Sequence, residues 1–277
     1  MSESIRYAEY AEFAEAAARA AGKITLRYFQ TTQGKEGGHA GPPLQVEYKA
    51  DRSPVTTADR ESERLLRKRI EERFPEHGIL GEEFGPARPE AGMRWLVDPI
   101  DGTESFIRGV PLYGVMLGLV EDGNPVVGVV HFPALGETLT AWRGGGCWWS
   151  RSFGIGRVRA NVSNVARLEE AVLVVTDPAG LLRGEKRGGY ERLRGRVKME
   201  RGWGDCYGHA LVATGRAEIM LDPELKEWDA APLIPILEEA GGRFTDWRGS
   251  RTIAGGDGFA TNAAVYEEVL RTIGGKP

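Results

Sequence analysis

The stretch that most constrains the fold is RWLVDPIDGTESFIRG, Arg94 to Gly109. Its apolar run Trp95-Leu96-Val97 ends in two aspartates three apart, Asp98 and Asp101, and Gly102-Thr103 then opens a short helical segment. A strand, an acidic turn and a helix N-terminus must therefore meet at one point. Two carboxylates at such a turn repel each other unless a cation sits between them, and hard oxygen ligands close together suit Mg²⁺ or a similar ion. Pro99 holds Asp98 extended and removes one N–H. Beyond it, the free amides of Gly102 and Thr103 suit a phosphate oxygen, because unpaired donors and the helix dipole both favour an anion. A metal on one side and a phosphate on the other make a phosphoryl-chemistry site. The bland alternative is a solvated turn, since Asp and Gly are ordinary turn formers. The rest of the chain has to decide between them.

At 277 residues, 41% of them hydrophobic, the chain can bury a sizeable core as one large domain or two intimate halves. The formal net charge is −4 with Lys and Arg scattered, which leaves no basic footprint for nucleic acid. Cys147 and Cys206 form no C-x-x-C pattern, so neither a disulfide framework nor a zinc knuckle is supported, and a reducing compartment fits. Glu3, Glu9, Glu12 and Glu15 stand where a signal peptide needs positive charge and then an apolar core. No run approaches the roughly 20 apolar residues of a membrane span. These features predict a cytoplasmic protein with no membrane partner.

Residues 4–30 are Ala-rich, with Ile5, Ala8, Phe13, Ala16, Ala17, Ala20, Ile24 and Phe29 at helical spacing, which predicts a long amphipathic helix. A Gly- and Pro-rich loop follows, Gly34–Pro43 at its centre, with His39 read as solvated. Next come a short strand at Leu44–Lys49, a turn at Ser53-Pro54, and a helix from Thr57 to Phe74 capped by Thr56 or Thr57. Asp59 falls in its first turn, with Glu61 and Glu63 in or near its early turns; a dipole-compensating role is the simplest reading of Asp59. Glu82 and Glu83 follow Ile79-Leu80-Gly81; strand alternation would send one to a site and the other to solvent, while in isolation the stretch reads as a surface turn. A hairpin turning at Glu121–Asn124 and a third strand at Glu137–Trp142 lead to Trp148 and Trp149, read as core or hinge aromatics. From about residue 151 the pattern alternates strand and helix, predicting a sheet with helices on both sides. The expected division is an N-terminal α+β half, 1–150, and a C-terminal α/β half, 151–277.

Spacing alone does not make Asp59, Glu82, Asp98, Asp101 and Asp229 converge. Yet GEE at Gly81–Glu83, DPIDGT at Asp98–Thr103 and WDAAPLIPILEEAGG at Trp228–Gly242 resemble the inositol monophosphatase-like superfamily of magnesium-dependent phosphatases. Within it, ADRSPVTTADRESE, HGILGEEFG, DPIDGTESFIRGVPLYG, Pro133–Glu137 and WGDCYGHALVATGRAEIMLDP resemble the histidinol-phosphate phosphatase branch. That resemblance implies an α/β protein with a layered αβαβα sandwich, a homodimer, and a small-molecule phosphate ester as substrate, L-histidinol phosphate ahead of inositol phosphate and other esters.

Carried over residue by residue, it implies that Glu82, Asp98 and the Ile100 carbonyl hold one Mg²⁺ while Asp98, Asp101 and Asp229 hold another. A third, weaker ion is implied near Glu82. Asp59 and Thr103 correspond to the pair that activates the attacking water, with Glu82 beside them in the catalytic set. Lys49 opens the segment that approaches the metals, and Gly102 and Thr103 take the phosphate. Asp101, Asp205, Asp222 and Asp229 face the substrate. Asp205, where inositol-specific relatives carry a small residue, suits an ammonium group; its simpler role is to cap a helix beginning near Cys206.

Overall fold

The computed structural model describes residues 3–31, 44–49, 54–151 and 156–274. The Gly34–Pro43 loop with His39, and Ser53 of the expected turn, lie outside them. The Ala-rich segment is α1 (Glu3–Tyr28), and its buried stripe is Tyr7, Ala11, Ala14, Ala18 and Ala21. Ile5, expected on that stripe, is exposed, since two residues before Tyr7 points to the opposite side of the helix. The alanines matter because short side chains let the helix lie close on a sheet.

β1 (Val46–Tyr48) pairs antiparallel with β2 (Pro54–Thr56), which runs directly into α2 (Thr57–Arg73). Then follow β3 (Gly78–Gly81), β4 (Gly85–Ala87), β5 (Met93–Asp101), α3 (Thr103–Ile107), β6 (Gly114–Glu121), β7 (Asn124–Phe132), β8 (Glu137–Trp142), β9 (Gly146–Arg151) and β10 (Arg157–Arg159). Among the described residues these strands make an eight-stranded sheet in the order β10-β9-β8-β7-β6-β5-β3-β4. Only the β3–β5 pairing is parallel. Alternation sends Trp95, Val97, Val115 and Leu117 to the face covered by α1 and α2.

The second sheet is built from β11 (Val172–Val175), α4 (Pro178–Leu181), α5 (Arg187–Arg194), β12 (Met199–Arg201), α6 (Asp205–Ala213), β13 (Ile219–Asp222), α7 (Glu227–Glu239), β14 (Gly242–Thr245), β15 (Gly258–Asn262) and α8 (Tyr266–Ile273). Its order is β12-β11-β13-β15-β14, parallel on the β12 side and antiparallel around β15. Val174, Met220, Phe244 and Ala260 face α6 and α7. Leu173, Val175, Ile219 and Phe259 face α4, α5 and α8. The layers are therefore α1/α2, large sheet, α6/α7, small sheet, α4/α5/α8. This is the αβαβα sandwich expected from the sequence.

The middle layer explains the unbroken apolar run of α7, since that helix is covered on both sides from Ala230 to Leu237. Gly118 and Gly128 sit opposite each other on β6 and β7 and leave a groove for it. A Cβ at Gly128 would fall 2.0 Å from the Pro232 carbonyl oxygen, so no other residue fits beneath the helix.

Candidate active site

Because Trp95 and Val97 point towards α1 and α2, Leu96 and Asp98 point the other way, towards α7. Asp98 pairs with Met116 but Asp101 with Gly114, so β5 carries one residue more than β6 over this interval. Pro99, which has no ladder N–H to give, sits in that bulge. Asp229 arrives from the first turn of α7. One carboxylate oxygen from each of Asp98, Asp101 and Asp229 lies within 4.8 Å of the others.

Each carboxylate is held by a backbone amide. Ile100 N–H donates to Asp98 Oδ1 (2.9 Å), Cys206 N–H to Asp101 Oδ2 (2.5 Å) and Lys226 N–H to Asp229 Oδ2 (2.8 Å). Burial pushes Asp98 and Asp229 well above the usual carboxylate range, and the neighbouring negative charges push in the same direction. Burial raises Asp101 as well, against the Cys206 amide. A divalent cation would reverse these penalties, and convergent hard oxygens fit Mg²⁺.

Glu82 stands just outside this trio, although its charge still raises Asp98. Its Oε1 accepts from Lys49 Nζ (2.7 Å), and so does Glu83 Oε1 at the same distance. The expected division of Glu82 and Glu83 between site and solvent is therefore wrong. β3 ends at Gly81, both glutamates lie in the turn after it, and pleat alternation no longer applies. That turn is fixed by Glu63, which the sequence reading missed. Fully buried on α2, Glu63 accepts from the amides of Glu83 (2.7 Å) and Phe84 (3.2 Å) and pairs with Arg67 (2.7 Å). In sequence it looks like one more helix i,i+4 ion pair; the absence of a side chain at Gly81, which leaves room for it, was the available signal.

Asp59 is the third residue of α2 and closes a capping box. Its Oδ2 accepts from the Thr56 amide (2.8 Å) and the Thr56 hydroxyl (2.5 Å), while the Thr56 oxygen accepts from Ala58 and Asp59. The first-turn acid read from sequence as dipole-compensating is thus also the acceptor of a capping box. That role does not exhaust the residue, because burial, aided by the charges of Glu83 and Glu82, pushes Asp59 up to about 7 despite those hydrogen bonds. Thr103 opens α3 and donates its hydroxyl to the Ile100 carbonyl (2.9 Å). Among the described residues no hydrogen bond joins Thr103 to Asp59. Gly102 caps α3 with φ +80°, and a Cβ there would come within 3.1 Å of Asp205 Oδ2.

Asp205 is thereby brought from α6 to the Gly102 turn. It is the first residue of α6, after the N-cap Gly204 and at φ +53°, and among the described residues its side chain makes no capping bond, so the simple capping role is not what the structure shows. Burial and the charges of Asp101 and Glu104 push it up to about 8. Asp222 ends β13, buried, with Oδ2 accepting from Thr176 Oγ1 (2.9 Å); Thr176 in turn accepts from the Asp205 amide (3.0 Å). Thr176, at the end of β11, is a second residue missed in sequence, where nothing marks it beyond the strand it follows.

A scan against protein-family models matches the inositol monophosphatase family over residues 6–274. A histidinol-phosphatase from Chlorobaculum parvum is 44% identical over 93% of each chain. One from Mycobacterium tuberculosis is 40% identical over 82% of this chain and 87% of its own. Among solved structures, the extragenic suppressor protein SuhB from Bartonella henselae superposes with a TM-score of 0.84 at 29% identity, covering 95% of this chain and 97% of that one.

Proposed function

This chain belongs to the inositol monophosphatase family, and from that membership we propose that it is a Mg²⁺-dependent phosphomonoesterase that cleaves L-histidinol phosphate to L-histidinol and phosphate. The observation that carries the substrate is the 44% identity to a histidinol-phosphatase over nearly all of both chains. Asp205 beside the Gly102 turn supports it, because an acid there suits the ammonium of an amino alcohol.

Asp98, Asp101 and Asp229, with Glu82 and the Ile100 carbonyl, would hold Mg²⁺. Two ions are the expected complement, with room for a third near Glu82. When bound, Mg²⁺ supplies Lewis-acid polarisation of water and of the phosphoryl oxygens. The chain's own groups do the rest. Thr103 spends its one hydroxyl proton on Ile100, which leaves its oxygen to accept from the attacking water and aim it. Asp59 uses Oδ2 for Thr56 and, poised at about 7, is matched to take that water's proton near neutral pH. The Gly102 and Thr103 amides are assigned to the phosphoryl group. Asp205 and Asp222 receive the leaving alcohol. Lys49, bridging Glu82 and Glu83, steadies the negative wall of the cleft.

The test is phosphate release by the purified chain with Mg²⁺, L-histidinol phosphate against inositol 1-phosphate, with an EDTA control. A preference of about a hundredfold in kcat/KM, near 2.7 kcal/mol, supports the assignment. Equal or reversed rates keep the phosphatase and replace the substrate with an inositol or broader monophosphate, and EDTA-insensitive release removes the Mg²⁺ assignment. Among the described residues no helix is long and apolar enough to cross a membrane. A homodimer in the cytoplasm completes the proposal, and light scattering checks the dimer.

A further inference from the structure

His209 is fully buried on α6, one helical turn after Asp205, and neither ring nitrogen has a hydrogen-bond partner among the described residues. A buried imidazole left this way is costlier than an apolar side chain of similar volume, because its polar atoms have lost water and gained no partner. The ring packs beside Phe244 (centroids 5.7 Å apart), a contact that satisfies neither nitrogen. Asp222 Oδ2 lies 3.9 Å from Nε2, about 1 Å beyond a hydrogen bond. That same oxygen already accepts from Thr176 Oγ1, which links it to the Asp205 amide.

We propose that His209 is a positioning residue for the alcohol end of the substrate. Its neutral imidazole donates Nε2–H to Asp222 Oδ2 when the pocket fills, and so keeps Asp222 an acceptor for hydroxyl or ammonium donors on the leaving group. The proposal rests on the placement of Asp222 at the alcohol end made above. Burial favours the neutral ring, which is the form able to donate from Nε2 without bringing a second charge into the core. Thr176 and His209 then hold Asp222 from two sides, one just after β11 and one on α6, so a residue that never touches substrate sets what the pocket selects.

The experiment compares wild type, His209→Leu and His209→Gln with Mg²⁺. The probes are whichever of L-histidinol phosphate and inositol 1-phosphate the wild type turns over faster, and p-nitrophenyl phosphate, whose leaving group offers no ammonium or aliphatic hydroxyl donor. His209→Leu is expected to raise KM for the first about tenfold with kcat within about threefold, and to leave p-nitrophenyl phosphate kinetics unchanged. His209→Gln, which keeps an N–H donor, is expected to restore KM to within about threefold of wild type. Wild-type KM in His209→Leu, or equal losses on both probes in Leu and Gln variants with a lowered Tm, would overturn the role. A wild-type preference for inositol 1-phosphate would remove the substrate assignment alone, since the variants are then judged on that ester.

Discussion

Carboxylates gather in two neighbouring regions, with Asp98 and Asp222 buried and Asp101, Asp205 and Asp229 half-buried, and they are supported differently. Asp98, Asp101 and Asp229 each lean on a backbone amide and converge to within 4.8 Å, so the cheapest relief for their charge is a cation from outside. Around Asp222 a side chain takes over part of that work: its Oδ2 accepts from Thr176 Oγ1, which itself accepts from the Asp205 backbone amide, and His209 lies behind it, while its Oδ1 meets the Glu224 amide only at 3.5 Å. Amide support comes with the backbone and tolerates sequence change, whereas side-chain support is replaceable residue by residue. The first arrangement suits chemistry held constant, and the second suits a substrate preference that drifts between relatives.

The sharpest way to break this contrast is Asp101→Asn. Turnover with Mg²⁺ should fall at least about a thousandfold, roughly 4 kcal/mol of transition-state stabilisation, while the metal-free protein melts no lower than wild type because a repelled buried charge has gone. Near-wild-type turnover would show that the trio is not the metal wall.

A test on the acid side of the same cleft uses pH. Asp59 is raised to about 7, so the folded state keeps a proton that the unfolded chain releases near pH 4. Its stabilising effect is whole below about 4 and is lost as pH climbs to about 7. In EDTA, Asp59→Asn should therefore match wild type near pH 4 and exceed its unfolding free energy by on the order of 4 kcal/mol at pH 8. Parallel pH–stability curves for the two proteins would mean that Asp59 is not held protonated by burial.

On the specificity side a smaller effect is expected. Asp205→Ala should raise KM for L-histidinol phosphate about tenfold, near 1.4 kcal/mol, and leave p-nitrophenyl phosphate unaffected. An equal rise for both esters would sink the amine-binding role and move Asp205 into the general scaffold. Smallest is Thr56→Ala, which removes the α2 cap and the hydroxyl bonded to Asp59. It should cost about 1 kcal/mol in denaturant unfolding, with kcat more affected than KM if Asp59 needs Thr56 to aim it.

Much of this was legible in the chain. The DPIDGT turn announced two carboxylates beside a helix start because both lie within six consecutive residues, where local geometry leaves little freedom. The cap of α2 could be read from residue type. The motif resemblance brought in Asp59, Glu82 and Asp229. Glu63, Thr176 and His209 were not legible as site residues, since each has an ordinary local reading and gains its role from a partner 20, 29 or 46, and 13 residues away respectively. After β3 the reading of a turn holds and the division of Glu82 and Glu83 by strand alternation does not, because the strand stops at Gly81.

The sequence by itself determined most of the elements and the acidic turn, because periodicity, caps and a proline-broken strand end act over a few residues, while the sandwich was implied by the motif resemblance. Only the tertiary structure decided which carboxylates share a site and which share a proton donor. The bulge at Pro99 and the arrival of α7 in the groove over Gly118 and Gly128 bring Asp229 to Asp98, and the packing of α6 on β13 brings His209 to Asp222. Those distances depend on burial and close approach between segments far apart in the chain, which no local pattern specifies.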